Sequence, residues 1–515
     1  MAGGGLPVPG KARPIRAPRR PWILLASAAL SAILVLSPIG AGVASADAIL
    51  SGPTFNIPIG TVDQQNPILN KLKYAIDHTY SGQTIRMAFF SLTVQSFADK
   101  LIAAHKRGVN VRLIQDDHEI GPMWKQIVSV LGSNTTKRSW AVVCHRSCYS
   151  DEEPSYMHAK FYMFSKSAGV PLIVMITSAN PTWTQARVGW NDMYTITRNS
   201  TIYSASRTYF EQMTAGAVQD AKGDQSVGVP INKYFTATSG KYKTYYFPIG
   251  GAGPDADPMY GVMSNIRCNG TASGYGSNGH TTIKIAMYQW AALRVRLAEK
   301  LWDLDNTGCI VEVIYNPGAT DKEVLAALKK PGGKYGGIKV TPAYDDANKD
   351  GILDHFLHHK FMLINGIYAG DTSVKMVFTG SANWTNTALH YGNEISLKII
   401  DSSVYSAYLA QYGRVYAWAS KLPPPPPPSP TPGPTGTPRP TGTPGPTGTP
   451  SPTTGPTTTP TPTGTPTPTS TLAPTDEPSA TAPLPEPGVA MPLPQPFPIL
   501  DGGSAWGEWL QADFE

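Results

Sequence analysis

Short apolar runs alternate with amphipathic ones along this chain, and the two periods predict strands and helices in turn. Ile85 to Phe89 is an apolar run of strand length. Ala98, Leu101, Ile102 and His105 follow at helical spacing, Gly108 is a natural helix stop, and Val109 to Ile114 supplies the next strand. Strands alternating with helices predict βαβ units and a mainly parallel sheet. The whole pattern then recurs. "FNIPIGT" at Phe55 is answered by "YYFPIGG" at Tyr245, and "TIRMAFFSLT" at Thr84 by "TIKIAMYQWA" at Thr282. "FADKLIAAHKRGVNVRLIQD" at Phe97 is answered by "LAEKLWDLDNTGCIVEVIYN" at Leu297. Because the blocks keep their order, the expected architecture is α/β, with two tandem domains, 47–235 and 236–421, in pseudo-twofold symmetry around a shared cleft.

The flanks read differently. Residues 1–46 carry Lys11, Arg13, Arg16, Arg19 and Arg20, then an apolar run from Trp22 to Leu36, then Ala44-Ser45-Ala46 before Asp47. That is the layout of a secretory signal peptide, and the apolar run falls short of the ~20 residues a bilayer span needs. From Pro423 the composition collapses into Pro, Thr and Gly, so 422–490 is expected to be an extended linker that buries no core. Residues 491–515 form a C-terminal tail with Trp506, Trp509 and Phe514. Removing the signal changes the charge balance. It holds five of the 42 basic residues and no acidic one, which leaves 37 against 36. A near-neutral exported protein lacks the global basic field of a nonspecific nucleic-acid binder. Four cysteines fit an oxidising compartment. Cys144 and Cys148 suit a small loop bridge and Cys268 and Cys309 a clamp in the second half. No CxxC pair is present to favour zinc, and spacing alone does not fix the pairing.

Candidate chemistry lies in one repeated stretch. "YMHAKFYMF", Tyr156 to Phe164, and "FLHHKFMLI", Phe356 to Ile364, each place a His and a Lys among apolar residues. Residues two apart on a strand share a face, so His158 projects with Lys160 and His358 with Lys360, while His359 lies on the core side. Further on come Ser178 with Asn180 and Ser381 with Asn383. Two His, two Lys and two Asn converging on one cleft would make a cage for a phosphate diester. Lys and Asn would donate to its oxygens, one imidazole would attack phosphorus, and the other would protonate the leaving oxygen. Lysine charge would serve where other enzymes use a metal, so no catalytic cofactor is expected.

These residues resemble the phospholipase D superfamily, whose signature is H-x-K-x4-D followed by G-S-x-N. The likeness spans about 48 to 421 and both halves. It implies two phospholipase D-like domains, with a phosphohistidine on one histidine and acid–base work on the other. Carried over, His158 is the nucleophile, His358 the acid/base, and Lys160, Lys360, Asn180 and Asn383 the phosphate ligands. Asp192 and Glu394 correspond to carboxylates that orient the imidazoles, and Ser178 and Ser381 count with them as supporting residues. The signature Asp is replaced by Ser165 and Asn365. The expectation is a secreted, monomeric phosphodiesterase acting on glycerophospholipids at a membrane surface. A secreted nuclease and a catalytically silent surface-binding homologue are the alternatives. Aromatics near the motifs, Tyr156, Trp183, Trp190 and Trp384, fit a lipid substrate or an ordinary core.

A last motif precedes His358. Asp346, Asn348, Asp350 and Asp354, with Gly351, match several positions of a calcium-binding hand, but Leu357 stands where a bidentate Glu is expected. The loop is a candidate structural calcium site or an acidic turn.

Overall fold

A computed structural model of the chain describes residues 49–149, 155–220, 233–251, 256–347 and 353–423. The expected signal at 1–46, all but the first residues of the linker 422–490, and the tail 491–515 lie outside them.

The first lobe is a seven-stranded sheet. Its strands are β1 (Gly52–Phe55), β2 (Thr84–Phe89), β3 (Asn110–Asp116), β4 (Trp140–Cys144), β5 (Phe161–Ser167), β6 (Val170–Thr177) and, after the short β7 (Gly189–Trp190), β8 (Asp192–Ile196). They lie in the order β1-β8-β6-β5-β2-β3-β4. The second lobe's sheet holds β9 (Phe235–Ser239), β10 (Tyr242–Tyr246), β11 (Ile266–Arg267), β12 (Thr282–Met287), β13 (Ile310–Tyr315) and β14 (Lys339–Pro342). After the hairpin of β15 (Tyr344–Asp345) and β16 (His355–Leu357) it is completed by β17 (Lys360–Tyr368), β18 (Asp371–Gly380) and β19 (Ile395–Ile400). The corresponding strands of the two lobes lie in the same order, β8-β6-β5-β2-β3-β4 and β19-β18-β17-β12-β13-β14.

Both sheets are mixed, so the expected parallel pairing holds for only part of each. β2, β3 and β4 run parallel, as do β12, β13 and β14, where a helix such as Gln95–Lys106 or Val295–Thr307 carries the chain back. The other pairings are antiparallel. The reason is local. Ala168-Gly169 joins β5 to β6 and Ala369-Gly370 joins β17 to β18, all four residues at positive φ. Two-residue turns of that kind close hairpins, and a hairpin cannot join parallel strands. Gly108 and Gly308, at φ 94° and 113°, end the two crossover helices where a left-handed residue is needed.

Three cores hold the lobes together. One lies on the outer face of the first sheet and includes Leu72, Phe89, Leu101 and Tyr162. Another lies on the outer face of the second and includes Ile285, Leu301 and Met362. The third is shared. It joins Met157, Phe161 and Trp190 to Leu357, Phe361 and Trp418, with the helices Ser200–Asp220 and Ser402–Ala419 filling the space between the sheets. Alternation along the repeated nonapeptides follows from this. Met157, Ala159, Phe161 and Met163 face the shared core, and Tyr162 and Phe164 the outer one.

Candidate active site

Each histidine of the repeated motif sits just ahead of its strand. β5 begins at Phe161 and β17 at Lys360, so His158 and His358 occupy the breaks that precede them rather than the strands themselves. The other lobe holds each break. His158 N–H donates to Asn393 O at 3.0 Å, and His358 N–H to Trp190 O at 3.1 Å. β16 pairs in parallel with β7, Leu357 opposite Trp190, and Met157 bridges Asn393. The two lobes thus exchange backbone hydrogen bonds at the two candidate histidines.

The lysines are buried. Lys160 Nζ donates to His158 O at 2.9 Å, and Lys360 Nζ to His358 O at 2.9 Å and to His358 Nε2 at 3.2 Å. Lys160 lies 5.5 Å from the Phe90 ring centre and Lys360 4.7 Å from that of Tyr288, the same position in the two repeats. Among the described residues neither ammonium ion-pairs with a carboxylate, and burial pushes Lys160 down to about 7 and Lys360 well below the usual lysine range. Burial also lowers His158, to about 4 against the opposing pull of Glu394, and takes His358 well down, with Lys360, Lys160 and His158 adding to the effect. Two neutral imidazoles and two under-neutralised ammoniums from opposite lobes therefore share one field.

The asparagines stand at the ends of β6 and β18. Asn180 Oδ1 accepts from Phe90 N at 3.1 Å, and among the described residues its NH2 donates to nothing. Asn383 Nδ2 donates to Gln289 Oε1 at 3.1 Å, and its buried Oδ1 has no partner there. Thr182 and Thr385 cap the short helices Trp183–Arg187 and Asn386–His390, which fixes both loops. A buried pair from Arg294 to Asp257, 2.9 and 2.8 Å, lets Arg294 reach Asn383 O at 3.3 Å in the second lobe.

The imidazole partners differ from expectation in one place. Glu394 Oε1 accepts from His158 Nδ1 at 2.7 Å, and Ser381 Oγ donates to its other oxygen. Asp192, however, accepts from His359 at 2.7 Å and from Tyr408 and Thr379, not from His358. His358 Nδ1 faces Asn191 Oδ1 at 2.7 Å, and Ser178 Oγ donates to that same oxygen at 2.8 Å. Counting from each serine explains the shift. Thirteen residues after Ser381 comes Glu394, and thirteen after Ser178 comes Asn191; Asp192 matches Ile395 instead. The ungapped count was available in the sequence, whereas matching by acidity misses it. His359, with Gln411 on its other nitrogen at 3.2 Å, is a packed core histidine. Asp116 is a further missed residue: it accepts from Met157 N at 2.6 Å and so anchors the peptide ahead of His158.

The replaced signature positions still make tertiary hydrogen bonds, Ser165 from β5 to β2 and Asn365 from β17 to the loop ahead of β12. Ser165 Oγ accepts from Thr84 N at 2.8 Å, and Asn365 Oδ1 from Gly276 N at 3.0 Å. All four cysteines are paired, Cys144 with Cys148 and Cys268 with Cys309. Of the aromatics named from sequence, Trp190 and Trp384 are core, Tyr156 packs 5.2 Å from the His158 ring, and only Trp183 is exposed, with Arg187 over its ring. The candidate calcium loop is described only in part. Leu357 at its twelfth position is buried in the shared core and offers no oxygen, and Asp354 Oδ2 is engaged with Ala347 N at 2.8 Å. Asp346 lies beside β15, and Asn348 and Asp350 fall outside the described residues.

A duplicated α/β protein with one H-x-K from each lobe at the junction defines a class, and comparison gives its family. The family described as cardiolipin synthase, PLD-like domain, matches residues 72–214 and again 277–416. The chain belongs to this PLD-like family of the phospholipase D superfamily. No curated protein matches. Among solved structures, the phosphatidylserine synthase of Haemophilus influenzae Rd KW20 is 11% identical over 71% of this chain and 87% of its own, with a TM-score of 0.46. The polyphosphate kinase of Porphyromonas gingivalis is 14% identical over 71% of this chain and 50% of its own, with a TM-score of 0.42, so the chain spans half that length. Nuc of Salmonella typhimurium, a phospholipase D family member, is 16% identical over 34% of this chain and 93% of its own, with a TM-score of 0.24.

Proposed function

We propose that this protein is an exported phosphodiesterase of the phospholipase D type that cleaves or transfers phosphatidyl groups through a phosphohistidine. The observation that carries the reading is the buried pair Lys160 and Lys360, two amino groups that among the described residues ion-pair with no carboxylate, flanked by imidazoles from both lobes. Buried charge without a partner is costly, and a diester anion supplies the missing one. In the first step His158 Nε2 attacks phosphorus, the bond to the leaving oxygen breaks, and that oxygen takes a proton from His358. In the second, His358 takes a proton from water, the new oxygen–phosphorus bond forms, and the electron pair of the nitrogen–phosphorus bond returns to His158. The lysines and Asn180 donate to the oxygens as charge develops. Their charge serves for a catalytic metal.

Lipid is the favoured substrate. Trp183, 37% exposed, follows Asn180 closely, and Leu293, 72% exposed, lies in the segment whose Ala291 N–H donates to Trp384 O beside Asn383. Two exposed apolar side chains on the loops that frame the cage suit contact with a lipid surface. Among the described residues no helix is long and apolar enough to cross a membrane. Export rests on residues 1–46, and the two disulfides suit an oxidising compartment.

The test is to incubate the protein, His158→Ala and His358→Ala with phosphatidylcholine vesicles and with plasmid DNA, in chelator. Head-group release that falls at least ~10³-fold in both variants supports the reading. DNA nicking without lipid turnover makes the protein a nuclease. A wild type inactive on both is a binding homologue.

A further inference from the structure

We infer that the two imidazoles have fixed, unequal roles: Asn191 is a positioning residue that makes His358 the weakly basic acid–base group, and Glu394 reserves the covalent step for His158. The inference rests on the phosphohistidine reading and deepens it.

The two partners are equivalent in place and unlike in charge. Both stand thirteen residues beyond a serine that donates to them, and both accept from an Nδ1 at 2.7 Å. The orientation of Asn191 is fixed by its amide. Nδ2 donates to Gln185 O at 2.8 Å and to Gly189 O at 3.0 Å, and the backbone N–H of Asn191 donates to Asn56 Oδ1 at 2.6 Å. The oxygen must therefore face His358, whose Nδ1 carries the hydrogen. Its Nε2 is left as the acceptor, and Lys360 Nζ donates to it. Around His358 stand Lys360, Lys160, His158, His359 and the Tyr288 ring, and among the described residues no carboxylate hydrogen-bonds to it. Around His158 stand Glu394, Lys160, Lys360 and the rings of Phe90 and Tyr156.

This difference divides the work. A phosphorylated imidazole is cationic when Nδ1 keeps its hydrogen, and a carboxylate on that hydrogen stabilises it. His158 has one and His358 does not. An imidazolium without a carboxylate is the stronger acid, which suits the group that must hand a proton to the leaving oxygen. The diester anion, set between the ammoniums, lets His358 hold that proton until the bond breaks.

Two experiments test this. The first follows both rings by NMR of histidine-labelled protein as pH is changed. His158 is expected to titrate above His358, and Asn191→Asp to raise His358 by about one unit, roughly tenfold in proton affinity, while His158 stays put. Equal titration, or no shift in the variant, overturns the inference. The second uses bis(p-nitrophenyl) phosphate. The acid-labile adduct is expected on His158, Glu394→Gln should lower kcat ~10–100-fold, and Asn191→Asp should move the basic limb of the pH–rate profile upward. An adduct on His358 of the wild type also overturns it. A wild type that cleaves no diester sinks the phosphodiesterase reading and the division of roles with it, whereas equal titration of the two rings in an active wild type sinks the division of roles alone.

Discussion

At the scale of the residue, Lys160 shows the conflict between stability and function. Its ammonium is fully buried and held by one carbonyl. Burial lowers it from 10.5 to about 7, so between those values the unfolded chain takes up a proton that the folded chain refuses. Stability is therefore full above about pH 10.5, falls as pH drops towards 7, and levels off below. Urea titration at pH 7 and pH 9.5 should show a higher midpoint at the higher pH, and Lys160→Met should remove part of that difference. The same variant should gain about 1 kcal/mol or more at pH 7 while losing ~10³-fold in kcat. His158 gives a second window. With its folded value at about 4 against 6.5, stability is whole above pH 6.5 and lost progressively as pH falls to 4. His158→Ala should flatten that loss, as read by thermal unfolding at pH 4.5 and 7. The His and Lys pairs were legible in the sequence because polar residues inside an apolar run demand a reason. Asn191 was overlooked because a neutral amide gives no chemical cue, and only the register from Ser178 marks it.

At the scale of the element, the loop closed by Cys144–Cys148 supports the site from behind. Cys148 N–H donates to Asn393 Oδ1 at 2.7 Å, and Asn393 O holds His158 N–H. The helix Ser200–Asp220 meets this loop at Gly216, where an added Cβ would lie 1.8 Å from Cys148 O. Gly216→Ala must push the loop away. The expected cost is about 1–3 kcal/mol, with a fall in kcat at unchanged fold, checked by thermal melts and diester turnover. The alternation of strands and helices, and the crossover helices ended by Gly108 and Gly308, could be read from period and glycine placement. The antiparallel half of each sheet was not, because Ala-Gly is a weak turn signal beside Asn-Gly and only the observed positive φ reveals the hairpins.

At the scale of the whole molecule, one core belongs to both lobes. Trp190 of the first packs against Trp418 of the second at 5.5 Å, both within the shared cluster. Calorimetry should give a single transition, and Trp190→Ala should cost about 3–5 kcal/mol and lower that one transition without splitting it. Two separate peaks would mean that the lobes fold independently. Sequence repetition announced the two lobes. It did not announce that the helices Ser200–Asp220 and Ser402–Ala419 lie between them, since both are aromatic-rich on several faces and resemble ordinary buried helices. The carriage of both lobes on one polypeptide has a genetic consequence. Two copies of a single half-length gene product, meeting about a true dyad, would have to present the same side chain to each ring: twin acids or twin amides. Setting Glu394 opposite Asn191 needs two unlike halves, which this one polypeptide carries, so any attempt to rebuild this site as a homodimer would erase the difference between its two rings.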